Sequence, residues 1–383
     1  EQRGMSVSLA GLISGLLSPL AMTIGFFVWD KSWKGSPYAL NLYKCSLASI
    51  LFLAVALGIH AGKLDPSTGY APLSVGVLII SSIIGIVFGD FVWLRALQLL
   101  GARRVILVDS LKPLFGAVLG RIFLDEYLVP FMLFGIVLTL SGILVVSLES
   151  SVEDGKDTKE SAEMQEIERK GSMQEIEGRG SISGIESIED MKAETGNDDS
   201  EDIMKVRKGW LMAVANVFVD GVGFMLTKLV GREMTTIDIN LIRFGFAAAC
   251  MLSLTCCLTA WRTMKLVQKL EPNVQSGQKG VVEGENAAWW QLPRNMTKNQ
   301  WYKVSVGVLF VTFFAPLLSN YALFKLHLSL CMTLLSFGPI YALPLGRIMK
   351  NELITWRATL GATLAVAGVV ALAFSTDVDD NRF

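Results

Sequence analysis

Ten runs of about twenty mostly apolar residues punctuate this chain, at 6–28, 37–59, 73–98, 103–121, 127–148, 209–230, 237–260, 302–325, 328–349 and 353–375. About twenty apolar residues wound as an α-helix cross the hydrocarbon core of a bilayer. The expected fold is therefore all-α and integral to the membrane, with ten transmembrane helices and lipid as the solvent. Composition agrees, since 52% of the residues are hydrophobic and only 18% are charged, against roughly a quarter charged in a soluble domain. Residues 1–4, ahead of Met5, are set aside, and no separate cleavable signal peptide is expected.

The net charge of -1 hides two opposed parts. Residues 151–208 hold 17 acidic and 9 basic side chains, a balance of -8, which leaves +7 for the remainder. That stretch is polar and repeats Met164-Gln-Glu-Ile-Glu as Met173-Gln-Glu-Ile-Glu. It holds too little apolar surface to offset its ordering entropy. It reads as a disordered acidic linker, with room for a transient helix, between a first unit at 5–150 and a second at 209–383. The second unit contains a long loop at 261–301, whose Trp289, Trp290 and Trp301 suit a membrane interface. Cys45, Cys250, Cys256, Cys257 and Cys331 all fall in apolar runs and read as small buried residues, neither a disulfide framework nor a metal site.

The two units repeat each other. A shift of 226 residues lays Ser110, Pro113, Leu119, Gly120, Arg121, Ile122 and Glu126 on Ser336, Pro339, Leu345, Gly346, Arg347, Ile348 and Glu352. The same shift lays Gly135 and Gly142 on Gly361 and Gly368. A shift of 199 lays Asn41, Leu42 and Lys44 on Asn240, Leu241 and Arg243. Five helices per unit is an odd number, so the second unit must enter the membrane upside down relative to the first. The expected architecture is two inverted-topology five-helix repeats, an arrangement characteristic of secondary transporters that alternate access about a midplane site. Pro19, Pro113, Pro316, Pro339 and Pro344 fall inside expected spans, where membrane helices also tolerate proline for packing reasons alone.

A charge at membrane depth costs about 2.5–3.5 kcal/mol on insertion scales, so it must face protein or a wet cavity. Asp90 and Asp220 lie well inside their spans, and Asp109 and Lys112 sit three apart in the first two turns of the fourth helix, on one face where they can pair. These residues read as lining a solute or proton path, or else as internally satisfied structural charges. Lys44 and Arg243, at equivalent repeat positions, would bind an anion, neutralise a carboxylate, or snorkel to headgroups. Asn216, Asn320 and Lys228 are further candidates of the same kind, whereas Arg95, Arg103 and Arg104 read as interfacial anchors. The only histidines are His60 and His327, and metal-protease, Cys-x-x-Cys and phosphate-loop signatures are missing. No enzyme, cofactor, metal or nucleic-acid function is expected.

The segment from Arg95-Ala-Leu-Gln-Leu-Leu-Gly-Ala through Ser110-Leu-Lys-Pro to Gly120-Arg-Ile-Phe-Leu-Asp-Glu, followed by the spaced glycines Gly135 and Gly142, resembles the EamA-like permeases of the drug/metabolite transporter superfamily. Asp125-Glu126 and Asn351-Glu352 stand where that family often has Gly-Glu. The resemblance implies a cavity built from helices 1–4 and 6–9, cytosolic termini, and transport of a small organic solute by a multi-pass membrane protein, with proton coupling open. A sensor or scaffold that signals through the acidic linker is the competing reading. Cationic and anionic solutes both remain compatible with the residues named.

Overall fold

The computed structural model describes residues 8–29, 32–60, 70–100, 105, 108–109, 111–126, 130–146, 188–274, 288–350 and 354–380. Among these residues the regular structure is helical and no strand is present. The helices are α1 (Leu9–Trp29), α2 (Pro37–His60), α3 (Pro72–Leu100), α4 (Lys112–Phe123), α5 (Pro130–Val146), α6 (Ile188–Val230), α7 (Thr236–Val274), α8 (Lys298–Lys325), α9 (Leu328–Lys350) and α10 (Trp356–Asp380). Eight of them, all but α4 and α5, contain segments long and apolar enough to cross a membrane. The expected spans at 103–121 and 127–148 correspond to the shorter α4 and α5, and part of each lies outside the described residues.

Three helices are not simple rods. In α3 the α-helical ladder gives way to π-helix at Ile83–Gly89, and in α8 it does so at Leu309–Phe314. α9 breaks between Leu335 and Gly338, just before Pro339, which has no N–H to continue the ladder. These irregularities recur at the spacing read from the sequence. Pro72 and Lys298 open α3 and α8, Ile83 and Leu309 open their π segments, Lys112 and Gly338 open α4 and the second part of α9, and Pro130 and Trp356 open α5 and α10; the members of each pair are 226 residues apart.

The two units interdigitate. α1 packs on α8, α2 on α7, α3 on α6, and α4 on the first part of α9, so each of these contacts joins one unit to the other. α5 and α10 meet through the glycines that the repeat equates. A Cβ at Gly135 would lie 2.8 Å from the Gly368 carbonyl, and one at Gly142 would lie 2.4 Å from the Gly361 carbonyl and from the Ala365 nitrogen. Position 135 thus meets 368 while 142 meets 361, the reciprocal pattern of two helices crossing antiparallel. Lipid tails are as apolar as leucine, so close van der Waals contact rather than solvent exclusion drives this pairing. Gly142→Leu is expected to force the two backbones apart and cost about 1–3 kcal/mol, read as a lower thermal unfolding midpoint in detergent.

Leu57, Phe88, Phe131, Phe134, Leu360 and Phe374 are exposed on the protein surface, where lipid would cover them. Cys45 and Cys331 are buried as expected, but Cys250, Cys256 and Cys257 are exposed. An apolar run shows that a residue is out of water without showing whether its neighbour is protein or lipid, and that is why the expectation failed for these three. Two helix boundaries also differ from expectation. α6 starts at Ile188, inside the stretch expected to be disordered, and α7 runs on to Val274 rather than ending near 260. Hydropathy locates the membrane and not the helix, and a backbone ladder continues into water wherever good helix formers allow. Residues 151–187 lie outside the described residues. At the end of its apolar stretch, α7 carries Lys265 with its ammonium 3.9 Å from the Trp261 ring and Arg262 6.0 Å from Trp290. Trp290 in turn donates to Thr259 at 3.2 Å, so the tryptophan-rich part of the loop packs back on the bundle.

Candidate functional site

A π segment widens the helix and leaves carbonyls without their usual partners, which polar side chains then satisfy. In α3 the Ile86 carbonyl accepts from Asn41 Nδ2 and the Gly89 carbonyl from Asn216 Nδ2, each at 3.0 Å. In α8 the carbonyl of Ala315, the repeat counterpart of Gly89, accepts from Ser18 Oγ at 2.9 Å. Asn216, a candidate for the solute path, holds the backbone around the π segment with its amide nitrogen.

Directly after the π segment comes Asp90, whose carboxylate receives Lys44 Nζ at 3.0 Å. Lys112 bridges two carboxylates, Asp109 at 3.3 Å and Asp220 at 3.2 Å. Asp90 and Asp220 also interact through space with each other and with Arg243. Six charges from α2, α3, α6, α7, the start of α4 and Asp109 just ahead of it therefore converge in the transmembrane region, three acidic and three basic. Their exposure differs. The Lys44 side chain is 4% accessible, whereas Asp90 and Asp220 are 30% and 28% accessible. Partial accessibility of a carboxylate within a membrane span fits a polar space beside it, because lipid contact is costly.

Arg243 differs from the two lysines. It is 9% exposed, its Nε has no hydrogen-bond partner, and among the described residues no carboxylate oxygen comes within 4.0 Å of its guanidinium. A Cβ at Gly85 would lie 3.3 Å from Arg243 Nη2 and one at Gly223 would lie 3.7 Å from it, so the guanidinium occupies space that two missing side chains leave open. Nearby, Asn320 Nδ2 donates to Asn240 Oδ1 at 2.7 Å, and Asn240 stands one turn before Arg243 on α7. Asn320 Oδ1 and Thr312 Oγ1, both on α8, are buried without a partner.

Lys228 behaves otherwise. Its ammonium donates to Glu126 Oε1 and to the Leu326 carbonyl, both at 2.6 Å, and is 3% accessible. Glu126 also accepts from the Leu328 N–H at 2.8–2.9 Å, capping the start of α9 where the first N–H groups have no helical partner. The group is a structural clasp between the ends of α4, α6 and α8, outside the charged cluster, and no sequence spacing announced it. Asp125 before it has φ 53°, the left-handed region that favours glycine, which accounts for the glycine common at this place in the pattern named above.

Arg95, expected as an interfacial anchor, lies with Ser36, Tyr38, Phe91, Gln98 and Trp289 on a cavity of about 390 Å³. None of the six charges of the cluster lines this cavity. Arg103 and Arg104 lie outside the described residues.

The sequence model of the EamA-like transporter family matches residues 9–148 and 286–374, more than half of the chain. No curated protein matches. Among the solved structures that do, one titled "Crystal structure of protein" is 14% identical, with a TM-score of 0.59, and the alignment covers 96% of this chain and 98% of that one; at that identity it speaks to the fold alone.

Proposed function

The chain belongs to the EamA-like transporter family, and from that premise we propose that it carries a small organic solute across the membrane by alternating access, as a secondary transporter. The chain is a multi-pass integral membrane protein whose family consists of transporters rather than enzymes. The finer reading is ten membrane helices in two inverted five-helix repeats. It draws support from the 226-residue recurrence of helix starts and π segments and from the reciprocal crossing of α5 and α10. One observation carries the functional reading: partly accessible carboxylates, Asp90 and Asp220, sit in a charged cluster to which both repeats contribute. Rocking one repeat against the other would expose such a cluster to each side in turn. Asp109 and Asp220, which share one lysine, are the groups through which proton coupling would run.

The test is reconstitution in liposomes, recording lumenal pH and tracer uptake for a panel of amines, organic acids and sugar phosphates. Saturable uptake by the wild type and its loss in Asp90→Asn and Asp220→Asn, with both variants folded, is the expected result. Uptake unchanged in both variants would remove the cluster from the path.

A further inference from the structure

We infer that Arg243 is the recognition residue for an oxyanion, the carboxylate or phosphate of an organic solute, at the site proposed above. The inference rests on the transport reading and deepens it by naming the charge of the cargo.

The argument is one of pairing. Each carboxylate in the cluster already has a lysine: Asp90 has Lys44, while Asp109 and Asp220 share Lys112. Among the described residues Arg243 has no ion pair and its Nε no acceptor, although the residue is nine-tenths buried. Buried guanidinium groups ordinarily meet a carboxylate or phosphate, whose two oxygens match the planar fork of N–H donors. A buried charge without such a partner is costly to keep. The protein nevertheless holds it in place. Ser82 Oγ donates to the Arg243 carbonyl, which ties α7 to α3, and the guanidinium packs against Gly85 and Gly223, where a larger side chain would crowd it. The shortfall is also local on the Asn320 side, since Asn320, whose Oδ1 is also buried without a partner, is bonded through its amide nitrogen to Asn240, one turn before Arg243. A solute with an anionic group and neutral polar groups satisfies what the protein leaves unsatisfied there. A cation would find carboxylates that lysines already balance.

The experiment uses the purified full-length chain in detergent. It is titrated with inorganic phosphate, sulfate and acetate, and separately with tetramethylammonium, all against sodium chloride at matched ionic strength. The readouts are the thermal unfolding midpoint and tryptophan fluorescence. At least one of the oxyanions should raise the midpoint saturably. Arg243→Gln should weaken that binding ~10-fold or more, as expected for losing a charge-assisted hydrogen bond, and Arg243→Lys should keep a weaker response. In oxyanion-free buffer Arg243→Gln should be at least as stable as the wild type, because it removes a charge that has no partner. A structural counter-ion for Asp220 would give the opposite sign.

The assignment is overturned by silence towards all three oxyanions, by a response undiminished in Arg243→Gln, by a response to tetramethylammonium alone, or by marked destabilisation of Arg243→Gln without oxyanion. Binding is measured without transport, so the two readings fail separately. Oxyanion binding that depends on Arg243, with no uptake of any solute, sinks the transport reading and leaves the subsite. Uptake indifferent to Arg243→Gln does the reverse.

Discussion

Glu126→Ala is expected to lower the thermal unfolding midpoint by roughly 10 °C, the equivalent of about 3–5 kcal/mol. Two groups hydrogen-bond to the carboxylate, and His327 Nδ1 lies 3.9 Å from it. Lys228, 3% accessible, would remain buried with only the Leu326 carbonyl for company, and the Leu328 N–H would lose both of its acceptors. The cost comes from the groups left behind more than from the bond removed. Glu126→Gln should therefore fall between the two, since an amide oxygen still serves Leu328 but no longer balances Lys228. Adding Lys228→Met to Glu126→Ala should recover much of the loss. The readout is unfolding of the purified protein followed by near-ultraviolet circular dichroism; three equal midpoints for wild type, single and double variant would refute the clasp.

Lys112→Met is expected to abolish uptake and to destabilise the protein at neutral pH by about 3 kcal/mol or more. Lys112 is the only cation within 4.0 Å of Asp109 and of Asp220 among the described residues. Without it two carboxylates of like sign share one desolvated region. Because the penalty comes from their negative charge, it should shrink on acidification and shrink again when Asp220→Asn is added. Wild type carries no such penalty, so the gap between the two unfolding midpoints should narrow from pH 7.5 to pH 5. A gap that does not vary with pH would mean that Lys112 acts through packing alone.

What could be read in advance followed the physics of each feature. Apolar runs mark passage through lipid, so α1, α2 and the apolar parts of α6 to α10 lay close to where hydropathy put them. The partnership of Asp109 with Lys112 is local and was visible in a three-residue spacing. Lys44 with Asp90 and Lys112 with Asp220 are long-range pairings; the sequence offered the four residues but no means of choosing partners. Lys228 was grouped with Asn216 because both are polar residues in an apolar span, yet Lys228 answers to Glu126 and a carbonyl at 326, and Asn216 to the carbonyl of Gly89. Composition cannot tell these apart, since the difference lies in what stands opposite. The hydrophilic extensions of α6 and α7 went unread because hydrogen bonding along a backbone leaves no trace in hydropathy.

The π segment in α3 turns this into a matter of phase. An α-helix advances by about 100° per residue, so a wheel drawn from Pro72 keeps true only as far as Ile83. Beyond Gly89 every side chain points elsewhere than the wheel says. Asp90, which belongs to the cluster, and Phe91, Arg95 and Gln98, which line the cavity, all lie on the shifted side. What aims them is the number of residues upstream and not the chemistry of any one. A change of length by a single residue there would be invisible to a comparison of residue types and would turn the whole working face of the helix away from its partners.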